Sequence, residues 1–443
     1  MTERSSFTNR MGFVLATAGA AVGLGNIWRF PYLAAEYGGG IFLLTYLFLV
    51  FTAGFILVLI ESAIGRKTGS GVICAFEKIG SRWKFAGYLT FITPLIIFSF
   101  YSVVGGWVIH YAVQFLIGNG GLLADPGYFG EYTANPVIPV IWLLFFIALT
   151  SGIVLRGVRK GIERVTRILM PVLLVMLVAL GIYCICMPGG LDGLWYFLYP
   201  DFSQFSSELV VAALGQMFFT LMIGSGVIMT YGSYLSKKEN LVKSAHAVDF
   251  FDTSVAILAG LLIIPAVFAL SGGSPESLGA GPGLMFIALP QVFATFPFGS
   301  VVGFAFFLLV FFAAITSSIS MYEVAVASLT EKFSLPRKNV VLGITLFVTV
   351  AAVIVSLGYG VLDFIQFNGM NILDMLDYLG NNILLPVCAL LACIAAGWII
   401  KPQGIIDEIC EEGVQFRGQK LFSFALRYLV PAAIIIILIT GIF

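Results

Sequence analysis

The residues best suited to chemistry lie where strongly apolar stretches lose their helical character. In residues 11–40, glycines cluster at Gly19, Gly23 and Gly25, and Asn26 follows directly. Glycine costs a helix interior about 1 kcal/mol relative to alanine, so the cluster favours an unwound segment with free backbone groups. A polar side chain at that depth is costly and usually faces a cavity. Close helix packing through small residues is the alternative that this stretch leaves open.

A second apolar stretch, residues 208–235, is interrupted in the same way. Thr220 is followed by a Gly-Ser-Gly run at residues 224–226. Two interrupted spans in corresponding halves of a membrane protein indicate a transporter binding site near the middle of the bilayer. Free amides at a half-helix N-terminus can bind an anionic group, and freed carbonyls can bind a cation.

Two further polar groups lie in otherwise apolar stretches. Asp249 and Asp252 lie in residues 243–271, and carboxylates inside a span suggest function because they are expensive to bury. Thr316 and Ser317 lie in residues 300–331. Their hydroxyls suit a hard cation such as sodium. Bonding to carbonyls one turn earlier in the same helix is an equal alternative at this point.

The composition places these residues in a membrane protein. Of 443 residues, 60% are hydrophobic and 10% are charged, whereas soluble domains carry about 25% charged residues. We therefore predict an all-α integral membrane protein. The formal net charge is zero, so nothing indicates a nucleic-acid partner. Scattered cysteines and two histidines argue against a metal centre or a histidine-based catalytic triad, and we expect no enzyme.

The hydropathy pattern predicts eleven transmembrane helices, which we call spans 1 to 11. Their approximate limits are 11–37, 40–64, 86–117, 137–155, 166–187, 208–235, 243–271, 300–331, 339–357, 369–399 and 424–442.

Loop charges predict the orientation of these spans. Lysine and arginine concentrate on one side, and the opposite loops lack both: 118–136, 188–207 and 272–299. Because basic loops remain in the cytoplasm, we expect a cytoplasmic N-terminus and an outside C-terminus in a cell inner (plasma) membrane. The loop 272–299 either folds as a lid over the outer mouth or is a passive connector.

The two interrupted spans, numbers 1 and 6, are five spans apart. Five is odd, so the second set of five enters the membrane from the opposite side. The pattern predicts two inverted repeats, residues 11–187 and 208–400, with both interrupted spans unwound at the midplane. Span 11, residues 424–442, falls outside the repeat.

Three motifs resemble the neurotransmitter:sodium symporter family, and its bacterial hydrophobic amino-acid transporters in particular. They are GLGNIWRFP in span 1, GQMFFTLMIGSG in span 6 and AAITSSIS in span 8. The resemblance implies a sodium-coupled symporter that imports hydrophobic L-amino acids, aromatic ones included, by alternating access. It also implies a monomeric working unit in the lipid bilayer. A sodium-dependent amino-acid sensor with the same fold but no net transport is the alternative.

The resemblance implies two sodium sites. One would use Ala21, Asn26 and Thr220 together with the carboxylate of the substrate. Asp252, or with a small register shift Asp249, would bind this sodium or supply the charge that chloride supplies in relatives, so we expect no need for chloride. The other site would use carbonyls and hydroxyls of Gly19, Val22, Ala313, Thr316 and Ser317.

The resemblance also implies a substrate pocket. Amides around Leu24 and Gly25 and the Tyr101 hydroxyl would bind the substrate carboxylate, and the carbonyls of Phe219 and Thr220 would bind its amine. The remaining implied pocket residues are small, apolar or flexible: Ala20, Ala21, Gly23, Ile97, Met222, Ser225, Gly226, Ser317 and Met321. Such a pocket suits aromatic side chains, and leucine or methionine would fit as well.

Gates on both sides of the site complete what the resemblance implies. Arg29 and Asp377 would form the outer gate, and Arg4 and Glu331 the inner gate, with support from Tyr234. A glycine and a proline in span 5, Gly161 and Pro171, match a family motif for unwinding of that span. A simple proline kink is the alternative.

Overall fold

Apolar helices dominate the architecture. The computed structural model describes residues 7–271 and 282–442, and these contain no β-strand, only two isolated bridges, Gly39–Pro200 and Phe367–Met370. Within the described ranges, nine helices are long and apolar enough to cross a membrane. They are Gly40–Thr68, Ser81–Leu116, Ile138–Leu155, Val158–Ile185, Leu241–Ala269, Gly299–Phe333, Arg337–Leu357, Ile372–Ile399 and Gln419–Gly441. These correspond to predicted spans 2 to 5 and 7 to 11.

The two remaining spans are broken, as the sequence predicts. Span 1 consists of helices Arg10–Ala21 and Gly25–Glu36, which bend by 57° and count as a tenth crossing when taken together. Span 6 consists of Ser207–Thr220 and Val227–Gly232, each too short to cross a bilayer alone. The prediction of an all-α fold with many apolar spans and breaks in spans 1 and 6 is confirmed.

The break in span 6 follows from its backbone. Met222, Gly224 and Gly226 have φ angles of +53°, +84° and +75°, in the left-handed region that favours glycine. A Cβ atom at Gly224 would lie 2.1 Å from the carbonyl oxygen of Leu385 in span 10. Only glycine therefore allows the turn to approach span 10 this closely.

The broken spans are surrounded by long helices. The first half of span 1 packs against spans 7 and 8, and the second half of span 6 packs against span 2. Span 8 runs along span 3, and span 7 runs along span 5. The interruptions are therefore enclosed by protein, where irregular backbone is tolerated in a membrane.

The packing of span 6 on span 2 yields a stability prediction. A Cβ atom at Gly65 would lie 1.9 Å from the carbonyl oxygen of Met229. Gly65→Ala should therefore lower the free energy of unfolding by about 1–3 kcal/mol. Thermal unfolding in detergent measures this, with Gly343→Ala as the control, since a Cβ there meets nothing within 4 Å. Equal unfolding midpoints for both variants would contradict the packing.

Short helices cover the loops between spans. They include Val72–Ile79, Tyr128–Ala134, Gly190–Leu198, a short apolar helix Leu284–Thr295 and Lys401–Ile409. In the loop predicted to be a lid or a connector, residues 272–281 lie outside the described residues. Its described part is anchored, because the Tyr111 hydroxyl donates to the Phe286 carbonyl at 3.1 Å and the Trp107 ring packs edge-on against Phe286.

Candidate functional site

A buried carboxylate joins the two broken spans. Asp252 in span 7 accepts hydrogen bonds from Asn26 Nδ2 at 2.8 Å and from Thr220 Oγ1 at 3.0 and 3.1 Å. The Tyr46 hydroxyl of span 2 donates to the same carboxylate at 3.3 Å. All four side chains are buried. Spans 1, 2, 6 and 7 thus meet at one hydrogen-bonded carboxyl group. We call these four residues the Asp252 cluster.

The other carboxylate of span 7 is placed differently. Asp249 is fully buried, and neither of its carboxylate oxygens has a hydrogen-bond partner among the described residues. Because Asp252 contacts Asn26 and Thr220, it is the carboxylate positioned beside the residues that the family resemblance assigns to the first sodium ion.

Side chains satisfy the backbone that the break in span 1 frees. The amide of Gly23 donates to Asn26 Oδ1 at 3.1 Å, and the amide of Leu24 donates to the Tyr101 hydroxyl at 3.3 Å. Gln216 of span 6 donates from Nε2 to the Gly25 carbonyl at 3.0 Å. The unwound turn is therefore held open by spans 3 and 6.

Two glycines in this turn lie too close to neighbouring side chains to carry a Cβ atom of their own. A Cβ atom at Gly23 would lie 2.8 Å from Ser317 Oγ and 3.1 Å from the Tyr101 hydroxyl oxygen. At Gly25 it would lie 2.3 Å from the Phe219 ring. The turn, the two hydroxyls and the aromatic ring therefore converge on one small region.

Span 8 approaches the same turn from the other side. Ser317 Oγ donates to the Ala20 carbonyl at 2.9 Å and lies 3.2 Å from the Val22 carbonyl and 3.5 Å from that of Gly19. The Ala20 carbonyl is nearer than the two that the resemblance names. This concentration of oxygens suits a hard cation.

Thr316 bonds to carbonyls one turn earlier in its own helix, which is the alternative to cation binding that the sequence left open. Its hydroxyl donates within span 8, to the carbonyls of Phe312 and Ala313 at 3.0 Å each. The hydroxyl oxygen can still accept or coordinate through its lone pairs. The bond therefore fixes the orientation of Thr316 beside Ser317.

The remaining implied pocket residues are buried or lie in the turn of span 6. Ile97 and Met321 are buried. Ser225 Oγ donates to the Met222 carbonyl at 2.5 Å, which stabilises the turn. A Cβ atom at Gly226 would lie 2.7 Å from the Val72 side chain, so this glycine serves close packing.

Arg29 and Asp377, the predicted outer gate, line one cavity of about 260 Å³ with Phe219. They form no ion pair in the described part of the chain. The Arg29 guanidinium instead lies 5.0 Å above the Phe219 ring centre, and Nη1 lies 3.5 Å from the Gly215 carbonyl. Asp377 accepts a hydrogen bond from Asn381 at 2.7 Å. The gate residues therefore share a cavity without contact.

At the opposite end of the molecule, Tyr234 belongs to a buried charged network. Its hydroxyl donates to Glu323 at 2.8 Å, and Arg337 forms an ion pair with the same carboxylate. Glu331 accepts a hydrogen bond from the Gly71 amide at 2.7 Å. Arg4, the predicted partner of Glu331, lies outside the described residues. Glu323 is not among the residues predicted from the sequence, although a glutamate within an apolar span is a visible signal.

The chain is similar to known proteins over nearly its whole length. Residues 4–119 and 137–443 match the Sodium:neurotransmitter symporter family. An uncharacterized sodium-dependent transporter of Bacillus subtilis, YhdH, is 35% identical over 97% of this chain and 96% of its own length. Another from Haemophilus influenzae is 33% identical over 100% of this chain and 99% of its own length. The crystal structure of MhsT in complex with L-phenylalanine matches this chain with a TM-score of 0.87 and 39% sequence identity. The match covers 99% of this chain and 100% of the MhsT chain.

Proposed function

Because this chain belongs to the Sodium:neurotransmitter symporter family, a family of transporters and not of enzymes, we propose that it imports hydrophobic L-amino acids together with sodium. The Asp252 cluster carries this proposal, since it joins both broken spans through one buried charge. The similarity to MhsT, whose structure contains L-phenylalanine, supports a substrate class that includes aromatic amino acids.

The first sodium ion would bind at the Asp252 cluster. Asn26, Thr220 and Asp252 offer amide, hydroxyl and carboxylate oxygens, and the Ala21 carbonyl lies at the end of the adjoining helix. Sodium would take over the lone pairs that now accept hydrogen bonds. If the substrate carboxylate completes the site, ion and amino acid stabilise each other's binding.

The second sodium ion would bind between spans 1 and 8. The Ser317 hydroxyl already lies within 3.5 Å of the carbonyl oxygens of Gly19 and Val22. Thr316 directly precedes Ser317 in span 8, and its hydroxyl donates to the Ala313 carbonyl one turn earlier at 3.0 Å. This ion would hold the first half of span 1 against span 8 until it is released.

The amino acid would bind beside the turn at Gly23. Its carboxylate would face the amides of Leu24 and Gly25 and the Tyr101 hydroxyl, and Phe219 would cover it from the side of the outer cavity. A glycine at position 23 leaves room for that carboxylate. Ser225 and Gly226 would line the amino-acid pocket and would also stabilise the turn of span 6 beside it.

Transport would proceed by alternating access with the N-terminus in the cytoplasm and the C-terminus outside. Residues 11–187 and 208–400 would form the inverted repeats, with residues 424–442 outside them. Arg29 and Asp377 would close the outer cavity by moving together, and Tyr234 with Glu331 would support the inner closure. A partly solvated ion pair contributes only about 0–1 kcal/mol to stability. The contact between Arg29 and Asp377 would therefore break at little cost in each transport cycle.

Tyr101 provides a test of the substrate site. Tyr101→Phe removes the acceptor of the Leu24 amide and a proposed donor to the substrate. We expect phenylalanine affinity to fall about tenfold, in line with loss of about 0.5–1.5 kcal/mol per hydrogen bond. Equilibrium binding of labelled phenylalanine measures this, with the exposed Tyr428→Phe as the control. Unchanged affinity would exclude the hydroxyl from the site.

Uptake into proteoliposomes tests the proposed function as a whole. Phenylalanine should accumulate under an inward sodium gradient and not under an equal potassium gradient. Replacement of chloride by gluconate should leave the uptake rate unchanged. Sodium-dependent binding without accumulation would identify a sensor, and uptake that ignores sodium would refute the symporter.

A further inference from the structure

Arg427 is an arginine inside span 11 whose charge has no acidic partner. It lies in the π-helical turn Ala425–Leu429, and its side chain is only partly buried. Its Nε atom donates to the Gly397 carbonyl of span 10 at 3.0 Å. Within residues 7–271 and 282–442, its guanidinium forms no other hydrogen bond and no ion pair. Of the five N–H donors of the group, the four on the two Nη atoms are therefore unused.

The bond from Arg427 to Gly397 joins two irregular turns. Gly397 belongs to the π-helical turn Ala395–Ile399, so both spans contain such a turn where they meet. Single π-helical turns are rare and are frequent at functional sites. A Cβ atom at Gly397 would lie 3.5 Å from Arg427 Cγ, so the stem of the arginine packs against the turn of span 10. The guanidinium is therefore held in position by one donor while the others point away from this bond.

The end of span 10 shows the depth of Arg427 in the membrane. Span 10 ends at Ile399, two residues after Gly397. Trp398 and Tyr428 are 44% and 58% exposed, and their rings pack edge-on with centroids 6.4 Å apart. Exposed tryptophan and tyrosine concentrate where a span passes from the hydrocarbon into the headgroup region. The guanidinium thus lies near the level of the lipid headgroups.

Two lysines add positive charge at the same end of spans 10 and 11. Lys420 lies two helical turns before Arg427 in span 11, and Lys401 follows directly after span 10. Both side chains are exposed. The proposed orientation places this end in the cytoplasm, where basic residues concentrate.

Three carboxylates in the segment that follows span 10 are bonded elsewhere. Glu408 forms ion pairs with Arg66 and Lys237, and Glu411 forms one with the same lysine. Asp407 accepts a hydrogen bond within its own helix at 2.8 Å. None of the three forms an ion pair with a basic residue of span 11. The corner between spans 10 and 11 therefore keeps its excess of positive charge.

We propose that Arg427 is the centre of a site for the phosphate of an anionic phospholipid such as phosphatidylglycerol, at the junction of spans 10 and 11. Guanidinium groups bind phosphate oxygens through paired N–H donors. A cation at the edge of the hydrocarbon is costly to leave unpaired, and the headgroup supplies the missing negative charge. Basic pockets between transmembrane helices on the cytoplasmic side bind anionic lipid headgroups in this way.

The surroundings favour a membrane lipid over a free phosphate ion. Phe424 and Ile399 are 54% and 42% exposed beside the exposed rings of Trp398 and Tyr428. This apolar surface provides contacts for acyl chains directly below the charge. The inference is independent of the proposed transport function, because lipid binding requires neither sodium nor an amino acid.

Binding of dioleoylphosphatidylglycerol to purified, delipidated protein in neutral detergent tests the site. Native mass spectrometry gives the fraction of protein that retains one lipid at each lipid concentration. Arg427→Gln should raise the concentration for half occupancy about tenfold, as expected for loss of charged hydrogen bonds. Arg427→Lys, which keeps the charge without the paired donors, should recover part of this loss.

Arg156→Gln is the matched control. Arg156 is an exposed arginine at the end of span 4, so the substitution removes the same charge at a different place. It should leave half occupancy by phosphatidylglycerol unchanged. Wild-type affinity in Arg427→Gln, or an equal loss in both variants, would overturn the inference.

Two further probes separate the headgroup from its alternatives. Dioleoylphosphatidylcholine has the same acyl chains and a phosphate but no net charge, so it should bind the wild type about tenfold more weakly. Inorganic phosphate at millimolar concentrations should not displace phosphatidylglycerol. Equal binding of both lipids would show that the acyl chains alone are recognised, and displacement by inorganic phosphate would identify a site for the free ion. Either result would overturn the proposal.

Hydrogen–deuterium exchange of the unmodified protein gives a measurement that does not depend on the folding of a variant. At about ten times the concentration for half occupancy, phosphatidylglycerol should slow amide exchange in residues 395–399 and 419–429 about tenfold. Residues 138–155 of span 4 should exchange at an unchanged rate. The same exchange with phosphatidylglycerol as with phosphatidylcholine would contradict binding at this junction.

Discussion

Asp252→Asn is expected to lower sodium-driven phenylalanine uptake about 100-fold or more. Asp252 accepts hydrogen bonds from Asn26, Thr220 and Tyr46, and it supplies the negative charge beside the proposed sodium ion. Removing one partner of a buried charge pair costs about 3–5 kcal/mol, which corresponds to at least a 100-fold loss of affinity. Asparagine keeps the size of the side chain, so the loss reports on charge. Initial uptake rates across sodium concentrations provide the measurement.

Asp249→Asn is the matched control for this experiment. Asp249 lies one turn away on the same helix and is equally buried, but no described residue is hydrogen-bonded to its carboxylate. We expect this variant to keep its sodium dependence. If Asp249→Asn abolished sodium dependence and Asp252→Asn did not, the assignment of the charge to the Asp252 cluster would be wrong.

Gly23→Ala is expected to have the second-largest effect, a loss of phenylalanine affinity of about 10- to 100-fold. The new methyl group would lie 2.8 Å from Ser317 Oγ and 3.1 Å from the Tyr101 hydroxyl oxygen. Overpacking of this kind costs about 1–3 kcal/mol. The added methyl group would also lie where we propose that the substrate carboxylate binds. Both the substrate site and the span 8 contact should be disturbed, so half-saturation by sodium should rise as well.

Equilibrium binding of labelled phenylalanine at fixed sodium measures the effect of Gly23→Ala. Gly152→Ala in span 4 is the control, since a Cβ atom there meets nothing within 4 Å. The same affinity in both variants would show that the turn at Gly23 is not the substrate site.

The breaks in spans 1 and 6 could be predicted from the sequence because their cause is local. Gly23, Gly224 and Gly226 lie where a helix cannot continue or where another chain segment approaches too closely for a side chain. Backbone requirements of this kind are visible as residue type and spacing. Asn26 and Thr220 are distinctive in the sequence for the same reason, since each is a polar residue at an interruption, and both contact Asp252 in the structure.

Other parts of the site depend on packing between distant helices. Tyr46 joins the Asp252 cluster across 206 positions of the chain, and nothing in its own apolar stretch distinguishes it from a lipid-facing tyrosine. The pairing of Glu323 with Arg337 likewise requires the folded arrangement. A sequence motif can therefore indicate that a residue is important, but it does not show which distant residue contacts it.

The outer gate shows a different limit. The family resemblance implies that Arg29 pairs with Asp377, whereas the structure places Arg29 over Phe219 and leaves both proposed gate residues lining one cavity. An ion pair that opens and closes belongs to a conformational state. A sequence motif applies to every conformation of a chain, so it does not specify which contacts one conformation contains.

Reciprocal binding of sodium and phenylalanine tests the central claim, that both bind together at the junction of spans 1 and 6. Radioactive sodium binding to purified protein is measured with and without phenylalanine, and labelled phenylalanine binding with and without sodium. We expect each ligand to raise the affinity of the other by the same factor, because coupling free energies are reciprocal. Sodium binding that is unaffected by phenylalanine would contradict a shared site.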